Sequence, residues 1–309
     1  MSPRFITLGA LLVASIFWAT SGFAAKTLLK YFDPVSLGAI RLTIASIVIL
    51  PMLLRVTKRV SKKMISDMIP VSLFSAGNFI LFLFGIQRTT ANAAAIIYTV
   101  TPLIAAFLSK KFIQEHVSGK KLAGIFLGLT GVLTILVLPI LENRGAIVGD
   151  IAGNLLIVGA MICFSLYNVG SRHLVTVKSY HPLTVTGFSL IISAILFLII
   201  TTIIPHTPIL PALRTPSVML LAIYMATFVT VLPYVLHQWA VKHSSATTAS
   251  LTTYIQPVFA FMFNGILLGE VITPGFLLGS ILVFAGVFLA TGTGLVRMAK
   301  TFSKKGHRT

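Results

Sequence analysis

Two prolines sit near the middle of long apolar runs, and each has polar company. Pro102 lies beside Tyr98 and Thr101, and Pro257 beside Tyr254 and Gln256. Proline has no amide N–H, so inside a helix each removes one backbone hydrogen bond and strands a carbonyl. In hydrocarbon that carbonyl must find another partner. The outcome is either a static kink packed against neighbours or a hinge that opens room for a cavity. On both readings the polar residues beside the prolines put a binding site close by. Tyr98 and Pro102 are four residues apart, hence on one helical face. Trp18, Asn78, Tyr167, Asn168 and Trp239 are further aromatics and amides within apolar runs, and with Tyr98, Tyr254 and Gln256 they make up a candidate substrate lining. Such a lining suits a zwitterion or a flat organic solute better than an inorganic ion, which calls for rings of carbonyls or charges. Trp18, Tyr167 and Trp239 are equally suited to anchoring at a membrane interface.

The charged residues that could do chemistry are few. Arg41 is the only Lys or Arg within an apolar run. It lies about six residues, ~9 Å, from the nearer helix end at 1.5 Å per residue. It could bind a substrate carboxylate, snorkel outward, or pin helix ends through carbonyl hydrogen bonds. All six acids, Asp33, Asp67, Glu115, Glu142, Asp150 and Glu270, fall at the ends of runs or between them. No carboxylate is therefore placed to relay protons at mid-membrane, which disfavours a carboxylate-coupled proton antiport. His237 is the remaining titratable candidate, with an interfacial hydrogen bond as its structural alternative. Glu115 and Glu270 each precede a helix start that Ser118 or Thr273 can cap, with Pro274 suited to the first helical position. Cys163, the single cysteine, reads as a small buried hydrophobe.

These residues need elements to hold them, and composition says of what kind. Of 309 residues, 56% are hydrophobic and 10% charged, and the mean hydropathy is +0.99. A water-soluble domain does not sustain those values. Apolar runs of about 20 residues, enough to cross a hydrocarbon core, occur at about 5–25, 35–54, 68–87, 91–110, 119–138, 150–170, 182–204, 217–240, 246–267 and 274–296. The first has the length of a signal peptide, but the bulky Phe23 near a cleavage point at Ala25 argues for a retained span. The expected architecture is an all-α integral membrane protein of ten spans.

The net charge of +18 follows membrane topology rather than a nucleic-acid footprint, because the basic residues cluster in short connections. With the N-terminus inside, 18 of the 24 Lys and Arg residues are cytoplasmic, five are external and Arg41 is within a span. Both termini are then expected in the cytoplasm.

The ten spans divide into two related halves. Sliding the sequence by 155 positions brings Ala91, Ala94, Pro102, Ala105, Glu115, Leu122, Gly124, Leu127 and Gly131 onto Ala246, Ala249, Pro257, Ala260, Glu270, Leu277, Gly279, Leu282 and Gly286. Asp33-Pro34 similarly parallels His181-Pro182. Five spans per half is odd, so equivalent helices cross in opposite directions, and the two glutamate turns lie on opposite faces. The charges agree, since the Glu115 turn carries four Lys and the Glu270 turn none. The expected units are 1–145 (spans 1–5), 146–298 (spans 6–10) and a basic tail, 299–309. Gly124, Gly128 and Gly131, with Gly275, Gly279 and Gly286, allow close helix approach, either within one chain or at the face of a homodimer.

Two inverted five-helix halves, each with a proline in its fourth helix, a glutamate 13 residues on and a glycine-rich fifth helix, resemble EamA-type members of the drug/metabolite transporter superfamily. Phe17-Trp18, Asp33-Pro34 and Arg41 fit the same likeness. The resemblance implies a plasma-membrane carrier for small organic metabolites, often an amino-acid exporter, with a central cavity at the seam of the halves. An importer of a nucleotide-like or vitamin solute is the rival within transport. From other classes, a receptor or scaffold needs no polar midplane duplicated in both halves, and a membrane-embedded enzyme needs an HExxH motif or paired carboxylates, neither of which is present. No phosphate-binding GxxxxGK[ST] loop offers nucleotide hydrolysis, and no metal or cofactor is called for.

Overall fold

The computed structural model describes residues 3–101, 103–104, 107–108, 119–141, 149–243, 251–270, 274–286 and 288–289. Among them the chain is helical throughout: α1 (Pro3–Ala19), α2 (Ser21–Leu28), α3 (Pro34–Val56), α4 (Lys62–Arg88), α5 (Ala91–Tyr98), α6 (Gly119–Leu141), α7 (Ile151–Thr176), α8 (Pro182–Ile203), α9 (Ile209–Leu213), α10 (Pro216–Ala226), a π-helical turn (Thr227–Val231), α11 (Leu232–His243) and α12 (Leu251–Leu268). A last apolar helix, α13, covers Pro274–Gly286.

Among the described residues, six stretches are long and apolar enough to cross a membrane: Gly9–Leu28, Pro34–Val56, Lys62–Arg88, Ile151–Thr176, Pro182–Ile203 and Pro216–Ala240. Of the ten expected spans, those six are full length. Leu122–Thr134, Gln256–Leu268 and Pro274–Gly286 are shorter apolar helices. The fourth expected span begins as α5, and much of the rest of it, Pro102 included, lies outside the described residues. The first expected span, 5–25, extends to Leu28 and is broken at Thr20, whose hydroxyl donates to the Phe17 carbonyl at 2.8 Å and meets the Tyr224 hydroxyl at 2.9 Å.

Helix starts are where the local sequence caps them. The Asp33 carboxylate accepts from the N–H groups of Val35 and Ser36 at 2.8 and 3.0 Å, with Pro34 in the first turn, where its missing N–H costs nothing. Ser61 and Thr90 accept from Met64 and Ala93 at 3.1 and 3.0 Å, and Asp150 accepts from Gly153 at 2.5 Å. His181 caps α8 through Leu183, followed by Pro182, as its kinship with Asp33-Pro34 predicts.

Polarity runs inside out. Large apolar side chains such as Ile47, Phe126, Leu155, Ile203, Leu220 and Ile266 are exposed, whereas Ser15, Ser36, Ser72, Ser75, Ser165, Thr186 and Ser193 are buried. Water would drive the opposite arrangement, so the surrounding solvent for these surfaces is lipid. Small residues let the helices close on each other. A Cβ at Gly38 would lie 2.0 Å from the Phe197 ring, which locks α3 against α8. At Gly286 it would meet the Gly128 nitrogen at 2.4 Å, and at Gly131 the Gly279 carbonyl oxygen at 2.6 Å. These glycines therefore bring α6 against α13 within the chain.

Side-chain ties group the connections at two ends of the bundle. At one end Asp33 accepts from the Thr207 N–H at 2.5 Å, and the Asp150 N–H donates to the Arg88 carbonyl at 3.1 Å. Gly149, at φ +82°, takes a left-handed turn there, pressed on Thr89. At the other end the Thr57 and Thr184 hydroxyls meet at 2.7 Å, and Asp67 accepts from Lys178 at 2.5 Å and Tyr180 at 2.9 Å. α4 packs along α7, α8 along α3 and α4, and α1 along α11 and α12.

Candidate functional site

Where these helices converge they leave a cavity with about 90 Å³ of space open to the centre of a water molecule. One water needs on the order of 10–15 Å³ on that measure, so the space takes a small solute or several waters. The first half of the chain supplies Trp18 from α1, Arg41 from α3, Asn78, Phe79 and Phe82 from α4, and Tyr98 from α5. The second half supplies Phe164 from α7, Tyr234 from α11, and Gln256 and Asn264 from α12.

The polar groups are already organised. The Tyr98 hydroxyl donates to Asn78 Oδ1 at 2.5 Å, and Asn78 Nδ2 reaches the Tyr234 hydroxyl at 3.5 Å. Trp18 stands edge-on to both Phe164 and Tyr234, with centroids 5.9 and 5.8 Å apart. Such edge-to-face pairs add about 0.5–1.5 kcal/mol beyond their buried area, so the aromatic wall is preformed.

Arg41 does not snorkel. Its side chain is 4% exposed and turns into the bundle, where Nε donates to Thr230 Oγ1 at 2.7 Å and the guanidinium carbon stands 5.0 Å from the Phe79 ring centre. Among the described residues its hydrogen-bond partner is a hydroxyl on the π turn rather than a carbonyl at a helix end. That turn is wider than an α-turn, and Thr230 Oγ1 donates to the Met225 carbonyl five residues back at 2.8 Å, which leaves the oxygen's lone pairs for arginine. Nη1 is buried without a hydrogen-bond partner among the described residues. Leaving a buried guanidinium short of partners costs several kcal/mol.

The expected lining residues separate into groups. Trp18, Asn78, Tyr98 and Gln256 line the cavity together. Tyr167 is fully buried behind Phe164, on which it stacks at 6.1 Å, and its hydroxyl accepts from Gln238 at 3.2 Å. Asn168 and Trp239 are half-buried on α7 and α11 and do not line this cavity. The Tyr254 side chain and Pro102 lie outside the described residues. Pro257 is buried inside α12. His237 makes no interfacial hydrogen bond among the described residues: its Nδ1 is buried without a partner, and its ring lies 5.3 Å from Trp18.

Phe79, Phe82, Phe164, Tyr234 and Asn264 line the cavity without having been expected there. The phenylalanines look like any lipid-facing or core residue in a chain this apolar. Asn264, an amide in an apolar run, carried the same signal as Asn78.

At one end of the cavity α2, α5 and α12 meet. A Cβ at Gly22 would lie 2.6 Å from the Ala91 Cβ, and Asn264 Nδ2 donates to Asn92 Oδ1 at 3.1 Å. The Glu270 carboxylate accepts from the Ala91 and Asn92 N–H groups at 2.6 and 2.8 Å. Glu270 thus caps α5, an element of the other half, while Ser118 and Thr273, the expected caps of the helices after the two glutamates, lie outside the described residues.

A lipid-embedded helical bundle with a preformed polar and aromatic cavity between its halves has the build of a multi-pass membrane carrier. The chain belongs to the EamA-like transporter family, whose model matches it twice, over residues 5–137 and 151–292. This is a transporter family within the drug/metabolite transporter superfamily, and the similar proteins named below are called transporters, which supports a transport role rather than an enzymatic one. An uncharacterized transporter of Bacillus subtilis, YyaM, is 27% identical over 303 residues, covering 96% of each chain. An S-adenosylmethionine/S-adenosylhomocysteine transporter of Chlamydia trachomatis serovar L2 is 28% identical over 291 residues, covering 90% of this chain and 85% of its own. A solved crystal structure aligns with a TM-score of 0.62 at 17% identity, over 92% of this chain and 96% of that one, which is a likeness of fold.

Proposed function

We propose that this transporter moves an amino acid or a related small organic metabolite across the plasma membrane by alternating access, running down the solute gradient and in the export direction in the cell. The observation that carries the reading is a cavity built jointly by the two halves, with Arg41, amides and aromatic rings facing it and no carboxylate among its lining residues. Ten spans in two inverted five-helix repeats, 1–145 and 146–298, followed by the basic tail and with both termini cytoplasmic, form the matching architecture. Two facts support it. The family model matches each half separately. The pairing of α4 with α7 also recurs as the pairing of α11 with α1 when third and first spans of the two halves are exchanged. Rocking of one repeat against the other about a shared site is the physical consequence of such a repeat.

A second reading is favoured by the Chlamydia trachomatis relative, because S-adenosylmethionine joins an amino-acid end to a base that aromatic rings can stack. The two readings share the amino-acid end and differ in the remainder.

The test is counterflow into proteoliposomes loaded with a panel of amino acids, S-adenosylmethionine, nucleosides and vitamins, paired with thermal unfolding of the purified protein. A true substrate at a hundredfold excess over its dissociation constant adds about 2.7 kcal/mol to stability. Exchange of amino acids alone supports the first reading, and exchange of S-adenosylmethionine the second. Nucleosides or vitamins moving while every amino acid fails would reject both.

A further inference from the structure

We propose that the Arg41 guanidinium is the seat of a carboxylate on the transported solute, so that the cavity selects organic acids and zwitterions over their neutral counterparts. The inference rests on the carrier reading and names the substrate class for that site.

Three observations converge. First, the charge has no carboxylate partner among the described residues. The one ion pair among the described residues joins Lys178 to Asp67. The four described acids are all engaged elsewhere: Asp33 on Val35, Ser36 and Thr207, Asp67 on Lys178 and Tyr180, Asp150 on Gly153, and Glu270 on Ala91 and Asn92. Second, the guanidinium is held in place. Nε is fixed on Thr230 at 2.7 Å, and the plane rests over Phe79 at 5.0 Å. With Nε occupied, the remaining donors are the paired terminal nitrogens, the fork that matches the two oxygens of a carboxylate. Third, Nη1 is buried and has no hydrogen-bond partner among the described residues, in a residue that lines the cavity. A static structural arginine would be expected to spend its donors on protein acceptors, whereas Nη1 here has none among the described residues, in a side chain that borders the cavity.

The geometry also says how the rest of the solute sits. Asn78, Tyr98 and Tyr234 already bond to one another, so the sites still open to a solute are the arginine fork, the Gln256 and Asn264 amides and the aromatic faces. An acid group at Arg41 leaves an apolar or aromatic remainder against Trp18 and Phe164.

The experiment compares matched acids and amides on the full-length protein: L-leucine, L-phenylalanine and 3-phenylpropionate against their carboxamides, by thermal shift in detergent and by counterflow in proteoliposomes. At least one acid should bind tenfold or more tightly than its amide. Arg41→Gln should erase that preference, and Arg41→Lys, which keeps charge but loses the fork, should weaken acid binding about tenfold. No acid preferred over its amide by the wild-type protein would overturn the proposal, and this comparison needs no variant to fold. Retention of the preference by Arg41→Gln would overturn it equally. Equal counterflow of acids and amides would remove the carboxylate seat and leave the carrier reading standing. An Arg41-dependent thermal shift without counterflow of any solute would do the reverse.

Discussion

The Glu270 carboxylate is bonded to the first two N–H groups of the helix beginning at Ala91, at 2.6 and 2.8 Å across 179 and 178 residues of sequence. A helix N-terminus presents unpaired N–H groups and a partial positive charge, so a carboxylate there satisfies donors and complements the dipole together. The bond ties the turn after α12 to the start of α5, at the rim where Gly22 and Ala91 are also in contact.

Glu270→Ala leaves those two N–H groups without their acceptor. The expected loss is about 1–3 kcal/mol in thermal or denaturant unfolding. Burial raises the Glu270 carboxyl above its ordinary range, against the opposing pull of the Ala91 and Asn92 N–H groups and of Lys26. A raised folded-state value makes the proton-bound form the favoured one, so its contribution is present below about pH 4.5 and is lost as pH rises through the folded value. Glu270→Gln, which cannot titrate, should flatten the stability profile in that window.

Asp33 has the opposite sign. Burial works against its charge, yet the Thr207 N–H and the Ser36 hydroxyl and N–H hold the carboxyl down to about 2. The stability it supplies is present above the unfolded value near 3.9 and drains away as pH falls from there through about 2. Because the group is partly solvated, the effect is on the order of 1 kcal/mol. Acid unfolding curves of wild type and Asp33→Asn should converge towards pH 2 and diverge above pH 4. Parallel curves would remove Asp33 from the account.

Thr230→Val keeps the volume and removes the hydroxyl that Arg41 Nε uses. Unfolding should be easier by about 1–3 kcal/mol, the cost of a buried donor left unpaired, and the acid-over-amide preference should fall. Thr230→Ser should restore both. A valine variant indistinguishable from wild type in both readouts would show that the guanidinium needs no support from the π turn.

Gly131→Ala and Gly286→Ala put a methyl group against backbone rather than a movable side chain, at 2.6 and 2.4 Å. Helices α6 and α13 must then separate, at roughly 1–3 kcal/mol for each variant. Gly119→Ala, whose Cβ meets nothing within 4 Å, is the control and should be neutral. Equal melting temperatures for all three would place the glycines outside the helix contact.

Much of this was legible in the residues because it is local. Asp33-Pro34, Thr90, Asp150 and His181-Pro182 announce helix starts by type and spacing, and each caps as its chemistry requires. Trp18, Asn78, Tyr98 and Gln256 stood out as polar or amphipathic residues in apolar surroundings and meet at the cavity. What stayed hidden depends on which helix faces which. Glu270 has acceptors to offer any nearby helix start, and only tertiary packing brings it to α5 rather than its own neighbour. Tyr167 has the same character as Tyr98 but sits behind Phe164, which occupies the cavity side of α7. The π turn at Thr227–Val231 has no local signature at all, since TFVTV is apolar and β-branched like much of the chain.

Equating Pro34 with Pro182 sets Arg41 opposite Ser189, a small uncharged residue that is also buried. The family model matches both halves, yet among the described lining residues Arg41 is the one cation, so the chamber has a charged end and an uncharged one. On the proposed carboxylate seat, a solute held by its acid end would keep one orientation throughout its passage. Such a chamber is polar from end to end, and would discriminate among solutes by the order of their groups as well as by their size.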